Sequence, residues 1–170
     1  ERIFLHLRDF VDHSGKVEVP FALSQMGIAN AVAIARSNVP RAIAGMKDNG
    51  QLIERQAHVA GVSRKRKAYF LTSEGAKIAD QIWAKVSQQT VRLILPDGRS
   101  EDVPLSDAVE MSDLPLRHVD ILRYMDENGS VDLSSLSPDL IERDLSKHIE
   151  KQLVSYLNDI PRTRRFFGRE

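Results

Sequence analysis

The stretch SQMGIANAVAIARSNVPRAIAGMKDNGQL, residues 24–52, decides how the chain is read. Its apolar spacing predicts a helix over about 24–31, a turn of small residues over 32–35 and a second helix from Arg36 to about Asn49. Gly50 supplies the stop, because a residue without a Cβ readily takes the left-handed conformation that ends a helix. In the second helix Val39, Ala42, Ile43 and Met46 share the face expected to be buried. Ser37, Arg41, Ala44 and Asp48 then point away, with Arg36, Pro40 and Lys47 on the flanks. Pro40 lacks a backbone donor and is expected to bend the first turn.

Upstream, Ile3, Phe4, Leu7, Phe10 and Val11 recur at helical spacing, and the pattern stops at His13-Ser14-Gly15. VEVPFA (17–22) alternates around Pro20, which suits a short edge strand or an extended lead into the next helix. Downstream, LIERQAHV (52–59) and KAYFLT (67–72) read as the strands of a hairpin. Its tip is expected to carry the cationic run Arg64, Lys65, Arg66 and Lys67. Tyr69 and Phe70 alternate across the second strand, so one is expected in the core; a stacking platform for single-stranded nucleic acid is the lesser role for the other. Thr72 or Ser73 caps a further helix with Ile78, Ile82, Trp83 and Val86 on one side.

In that order of elements, residues 2 to about 86 resemble a winged helix-turn-helix domain of the prokaryotic, particularly archaeal, transcriptional-regulator kind. The likeness rests on GIANAVAIARSNVPRAIAGMKDNGQLIER (27–55), the hairpin and the closing YFLTSEGAKIA (69–79), and covers half of the chain. It implies that the outer face of the second helix enters the major groove of double-stranded DNA. Arg36 and Arg41 would pair with guanine or phosphate, Ser37 and Asn38 would donate to phosphate near the positive helix end, and Lys47 would flank them. Arg64, Lys65, Arg66 and Lys67 become the wing, over 62–68. Ala44 offers at best a thymine methyl contact, so phosphate is expected to supply most of the affinity. The competing reading is a solvated helix face and a solubilising hairpin tip. Regulators of this kind often dimerise through terminal helices, which implies a homodimer; Ile78, Ile82, Trp83 and Val86 serve equally as intradomain core.

In the second half, VRLILPDGRSEDVPL (91–105) reads as a hairpin turning at Pro96-Asp97-Gly98. PLRHVDILRYMDENGSVDL (115–133) is helical up to Met125 and breaks at Asn128-Gly129. SPDLIERDLSKHIEKQLVSYL (137–157) opens with Ser137 as cap and Pro138 at the first helical position. Asp126-x-x-Gly129-x-Val131 echoes Asp12-x-x-Gly15-x-Val17, which leaves open a degenerate second winged helix or a chance repeat. The expected class is therefore α+β and mostly helical: a winged helix-turn-helix over 1–86, a hairpin connector over 87–105, an acidic helical domain over 106–160 and a basic linker over 161–170. That linker, PRTRRFFGRE, resembles the lead-in to the ATPase module of signal-transducing NTPases with numerous domains, which implies such a module beyond it. A basic tail for nucleic acid is the alternative. The start at Glu1 rather than methionine is consistent with a piece of a longer protein.

A formal net charge of zero hides an asymmetry. Residues 1–86 hold 13 Lys/Arg against 8 Asp/Glu, net +5, and residues 87–170 hold 11 against 16, net −5. Only the first half is expected to meet a polyanion. There is no cysteine, hence no disulfide, thiolate metal site or thiol nucleophile, and a reducing cytoplasmic setting is compatible. His6, Asp9 and His13 are too loosely spaced to ligate a metal and read as surface residues. No phosphate-loop motif and no paired nucleophile and base occur, so neither cofactor nor enzyme is expected. The alternative to DNA binding is a winged helix that engages an acidic protein surface.

Overall fold

A computed structural model of the chain describes residues 1–112, 114 and 116–136; the expected helix over 137–157 and the basic segment 161–170 lie outside the described residues. Residues 1–136 form one compact mixed α/β unit. It contains two three-stranded sheets among the described residues.

The first helix, α1 (Arg2–Arg8), buries Ile3, Leu5, His6 and Leu7. It is shorter than its apolar pattern predicts, because a separate 3-10 turn at Val11–His13 follows and leaves Val11 40% exposed. Strand β1 (Glu18–Val19) and a 3-10 turn at Phe21–Leu23 lead into α2 (Gln25–Val32). Ser24 caps α2 by accepting the Gly27 amide at 3.0 Å. The helix ends on Ala33, at φ 56° and ψ 45°. A side chain with a Cβ costs about 1 kcal/mol in that left-handed region. Ala33→Gly is therefore expected to stabilise the protein by about that amount, read as a higher urea midpoint with an unchanged slope.

Next comes α3 (Val39–Asp48), preceded by a 3-10 turn at Arg36–Asn38. Val39, Ile43 and Met46 are buried as expected, but Ala42 is exposed. The covered stripe is too narrow to include it. Nor does Pro40 disturb the first turn: it lies at the helix start, where its missing N–H would have had no intrahelical partner. At the other end Gly50, at φ +67°, donates to the Lys47 carbonyl at 3.0 Å and Gln51 donates to Met46 at 2.8 Å, closing α3 with a Schellman motif.

Strands β2 (Leu52–Val59) and β3 (Arg66–Leu71) pair antiparallel, with Leu52 opposite Leu71 and Ala57 opposite Arg66; β1 adds to β2 in parallel. Helix α4 (Ser73–Val86) is capped by Thr72, which accepts the Gly75 amide at 3.1 Å. Trp83 packs within the chain, its ring 4.5 Å from that of His118 and with the Arg8 guanidinium 5.5 Å above it. Val86 is buried, and Ile78 and Ile82 are half-buried.

The second sheet has the order β5-β4-β6. Strand β4 (Thr90–Ile94) pairs antiparallel with β5 (Ser100–Pro104) and parallel with β6 (Ser130–Asp132). The turn uses Gly98 at φ +83°, with the Asp97 carboxylate accepting from the Arg99 amide at 3.0 Å. Short helix α5 (Leu105–Ala108) and helix α6 (His118–Tyr124) bury Leu105, Ala108, Val119 and Ile121 beside Val91, Leu93 and Val131. The echoed motif differs at its valine, since Val131 is fully buried while Val17 is 78% exposed. Helix α6 packs on α1 and α2, across the division expected near residue 86. Arg117, just before α6, reaches His6 Nδ1 at 3.3 Å and Asp9 at 3.8 Å, and lies over the Phe10 ring. Among the described residues no helix is long and apolar enough to cross a membrane.

Candidate nucleic-acid interface

The core side of α3 is occupied by Val39, Ile43 and Met46, so its remaining side chains face solvent. Arg36, Ser37 and Asn38, on the preceding turn, are exposed, as are Arg41 and Lys47. Asn38 occupies the cap position without making a side-chain capping bond. Its amide thus remains outside the helix hydrogen-bond scheme, beside the positive end of the α3 dipole.

The hairpin places the cationic run differently from expectation. Only Arg64 and Lys65 stand in the exposed loop between β2 and β3. Arg66 and Lys67 are already in β3, opposite Ala57 and Gln56, because the ladder extends one pair further toward the loop than the apolar pattern indicates. Arg66 is half-buried there.

Lys67 and Lys47 share one counter-ion. Lys67 Nζ lies 2.7 Å from Glu54 Oε1, and Lys47 Nζ lies 2.9 Å from Glu54 Oε2. The hydrogen bonds from Lys67 and Lys47 hold the Glu54 carboxyl below the usual carboxylate range, and the bond to Glu54 pushes the Lys67 ammonium up. Glu54 went unassigned in the sequence. Its signal was the hairpin register, which puts residues 54 and 67 diagonally on one sheet face.

Tyr69 and Phe70 are both buried, each with 2% exposure, which removes the stacking-platform role. Strict alternation would expose one of them, but over residues 68–71 β3 is buried on both faces. The Arg55 guanidinium lies 4.4 Å from the Phe70 ring centroid while donating to the Lys16 and His13 carbonyls. Burial pushes the Tyr69 phenol up, and the charges acting on it are those of Glu54, Lys67, Lys47 and Arg36. Gln56 and His58 continue the same outward face of β2 toward the loop and are exposed.

His6 is not the surface residue its spacing implied: it is fully buried, with Nε2 2.8 Å from the Ala22 carbonyl oxygen. Among the described residues no cluster of His, Asp and Glu is placed to hold a metal ion. Comparison with family models, curated proteins and solved structures finds no match to the chain.

Proposed function

We propose that residues 1–86 are a winged helix-turn-helix that binds double-stranded DNA as a transcription-regulating module. Helix α3 would lie in the major groove and the β2–β3 hairpin along the phosphate backbone. The observation that carries this reading is the exposed row of Arg36, Ser37 and Asn38 on the turn before α3 and Arg41 on α3 itself, with Val39, Ile43 and Met46 buried on the helix's other side, in the same unit as an exposed basic hairpin loop. Arg36 and Arg41 supply bidentate donors for guanine or phosphate, Ser37 and Asn38 donate to phosphate, and Arg64 and Lys65 reach the backbone beyond the groove. Arg66 and Lys67, on β3, support the wing from its base. On this reading the chain acts in the cytoplasm as a homodimer, and PRTRRFFGRE joins it to an ATPase module.

The test is fluorescence-anisotropy titration of a mixed-sequence duplex at several salt concentrations. Wild type should show a steep inverse dependence on salt. Replacing Arg36, Arg41, Arg64 and Lys65 together by alanine should flatten the log–log slope by about 3 to 4, at roughly 0.9 per lost phosphate contact, and lower affinity at least about tenfold. A loss smaller than about threefold, against the order of magnitude expected from lost phosphate contacts, would count against α3 and the loop as the contact surface.

The charge split favours a second reading, in which the basic face engages an acidic protein surface. Residues 87–170, at net −5, make a second copy of the chain one such partner. Light scattering would then show self-association that weakens with salt, and duplex DNA would not bind.

A further inference from the structure

We propose that Glu54 is an internal competitor for phosphate that sets how weakly the interface holds DNA of arbitrary sequence; this rests on the DNA-binding reading above. One carboxylate is shared by two ammonium groups, one oxygen to each, at 2.7 Å from Lys67 and 2.9 Å from Lys47. The three residues come from three elements, the end of α3, β2 and β3, so the contact closes the angle between helix and hairpin. It sits at the surface: the Lys47 and Lys67 side chains are 43% and 56% exposed, and that of Glu54 21%.

A phosphate approaching this corner meets a cluster of net charge +1 instead of +2. To pair with either lysine it must displace that lysine from Glu54, and it then faces the uncovered carboxylate. The penalty applies to any phosphate backbone, whatever its bases. Arg36 and Arg41 are not held by Glu54, so their contacts to base edges escape it. An uncompensated like charge at a non-reading position weakens wrong and right sites by the same factor. Binding then persists only where base contacts add to the phosphate term.

The discriminating variant is Glu54→Gln, which keeps the side-chain shape and an acceptor oxygen but removes the charge. With a mixed-sequence duplex in the anisotropy titration, the variant is expected to bind about tenfold tighter at low salt, with a log–log slope steeper by about 1 to 2 as the two lysines take up phosphates. In a Lys47→Met/Lys67→Met background the same Glu54→Gln change should leave the slope unchanged, because no cation remains to be released. If Glu54→Gln binds equally or more weakly than a wild type that does bind, Glu54 positions its lysines, and the competitor role is wrong while DNA binding stands. If neither protein binds duplex at low salt, the DNA reading fails and takes this inference with it.

Discussion

Alanine at Gly27 or Gly75 is expected to destabilise the protein by about 3 kcal/mol, although alanine is the better helix former by about 1 kcal/mol. Both glycines lie in the first turn of a helix, and in both the missing Cβ is what permits a backbone-to-backbone contact. A Cβ on Gly27 would strike the Phe21 carbonyl oxygen and lie 2.5 Å from Ala22 Cα and 2.7 Å from the Ala22 carbonyl carbon. On Gly75 it would strike the Gln51 carbonyl oxygen and lie 2.9 Å from its carbon. None of these atoms belongs to a flexible side chain, so relief requires a helix to move. The Gln51 carbonyl also accepts the Thr72 amide at 3.1 Å, and the Thr72 hydroxyl donates to the Gly50 carbonyl at 2.8 Å. Gly75 thus seats the cap of α4 on the stretch that ends α3 and starts β2. Movement there would change the angle between the proposed reading helix and the hairpin, so Gly75→Ala should lose DNA affinity as well as stability. Gly45, in the middle of α3, is the control: nothing lies within 4 Å of its Cβ position. Gly45→Ala should raise stability by about 0.5–1 kcal/mol. Thermal unfolding decides the matter, with midpoints lower by about 10 °C for Gly27→Ala and Gly75→Ala and slightly higher for Gly45→Ala. Unchanged midpoints in the first two would mean that the close approaches relax at little cost.

The parts of this fold that were legible in the sequence are those fixed by local chemistry. Gly50 ends α3 because the left-handed turn needs no Cβ, Thr72 starts α4 because its hydroxyl reaches an amide three residues on, and Gly98 turns the β4–β5 hairpin. Periodicity also identified Val39, Ile43 and Met46 as core. It failed where burial depends on what a second element covers. Ala42 has the right phase but lies beyond the edge of the contact, whereas Phe70 and Tyr69 have opposite phases and are both covered. Spacing likewise cannot distinguish a polar face from a polar residue with an interior partner, and so His6 read as exposed although Ala22 and Arg117 hold it inside. The exposure of Arg36, Ser37, Asn38, Arg41, Arg64 and Lys65 was legible residue by residue. The coupling of Lys47 to Lys67 was not, because it runs through Glu54 and depends on the hairpin register and the docking of α3 together.

Acidification from pH 6.5 to 5 is expected to cost the folded state about 2 kcal/mol through His6 alone, rising to about 3 kcal/mol by pH 4. Burial drives the imidazole from its ordinary 6.5 down to about 4; the Arg117 guanidinium adds to the shift, while the bond to the Ala22 carbonyl and the nearby Asp120 oppose it. The partners also fix the tautomer. A guanidinium can only donate, so Nδ1 must accept from Arg117 at 3.3 Å, and Nε2–H donates to Ala22. A proton on Nδ1 would set two donors against each other beside a positive charge. Between 6.5 and 4 the unfolded chain therefore binds a proton at His6 that the folded chain refuses, and stability falls as the pH is lowered through that window. Glu54, Asp97, Asp102 and Asp132, held below the usual carboxylate range, add their losses only lower down, as the pH falls through that range. Asp9 works in the opposite direction there, since burial pushes its carboxyl up and the folded state takes its proton first. The measurement is urea denaturation across pH 4 to 7 for wild type and His6→Gln, whose amide can replace the donor to Ala22; the variant should be less stable at pH 7 but lose the slope above pH 5. An NMR titration of the wild-type His6 ring supplies the second readout, with a midpoint near 4. A midpoint near 6.5, or an unchanged slope in the variant, would show that Arg117 and α6 do not seal this histidine in solution.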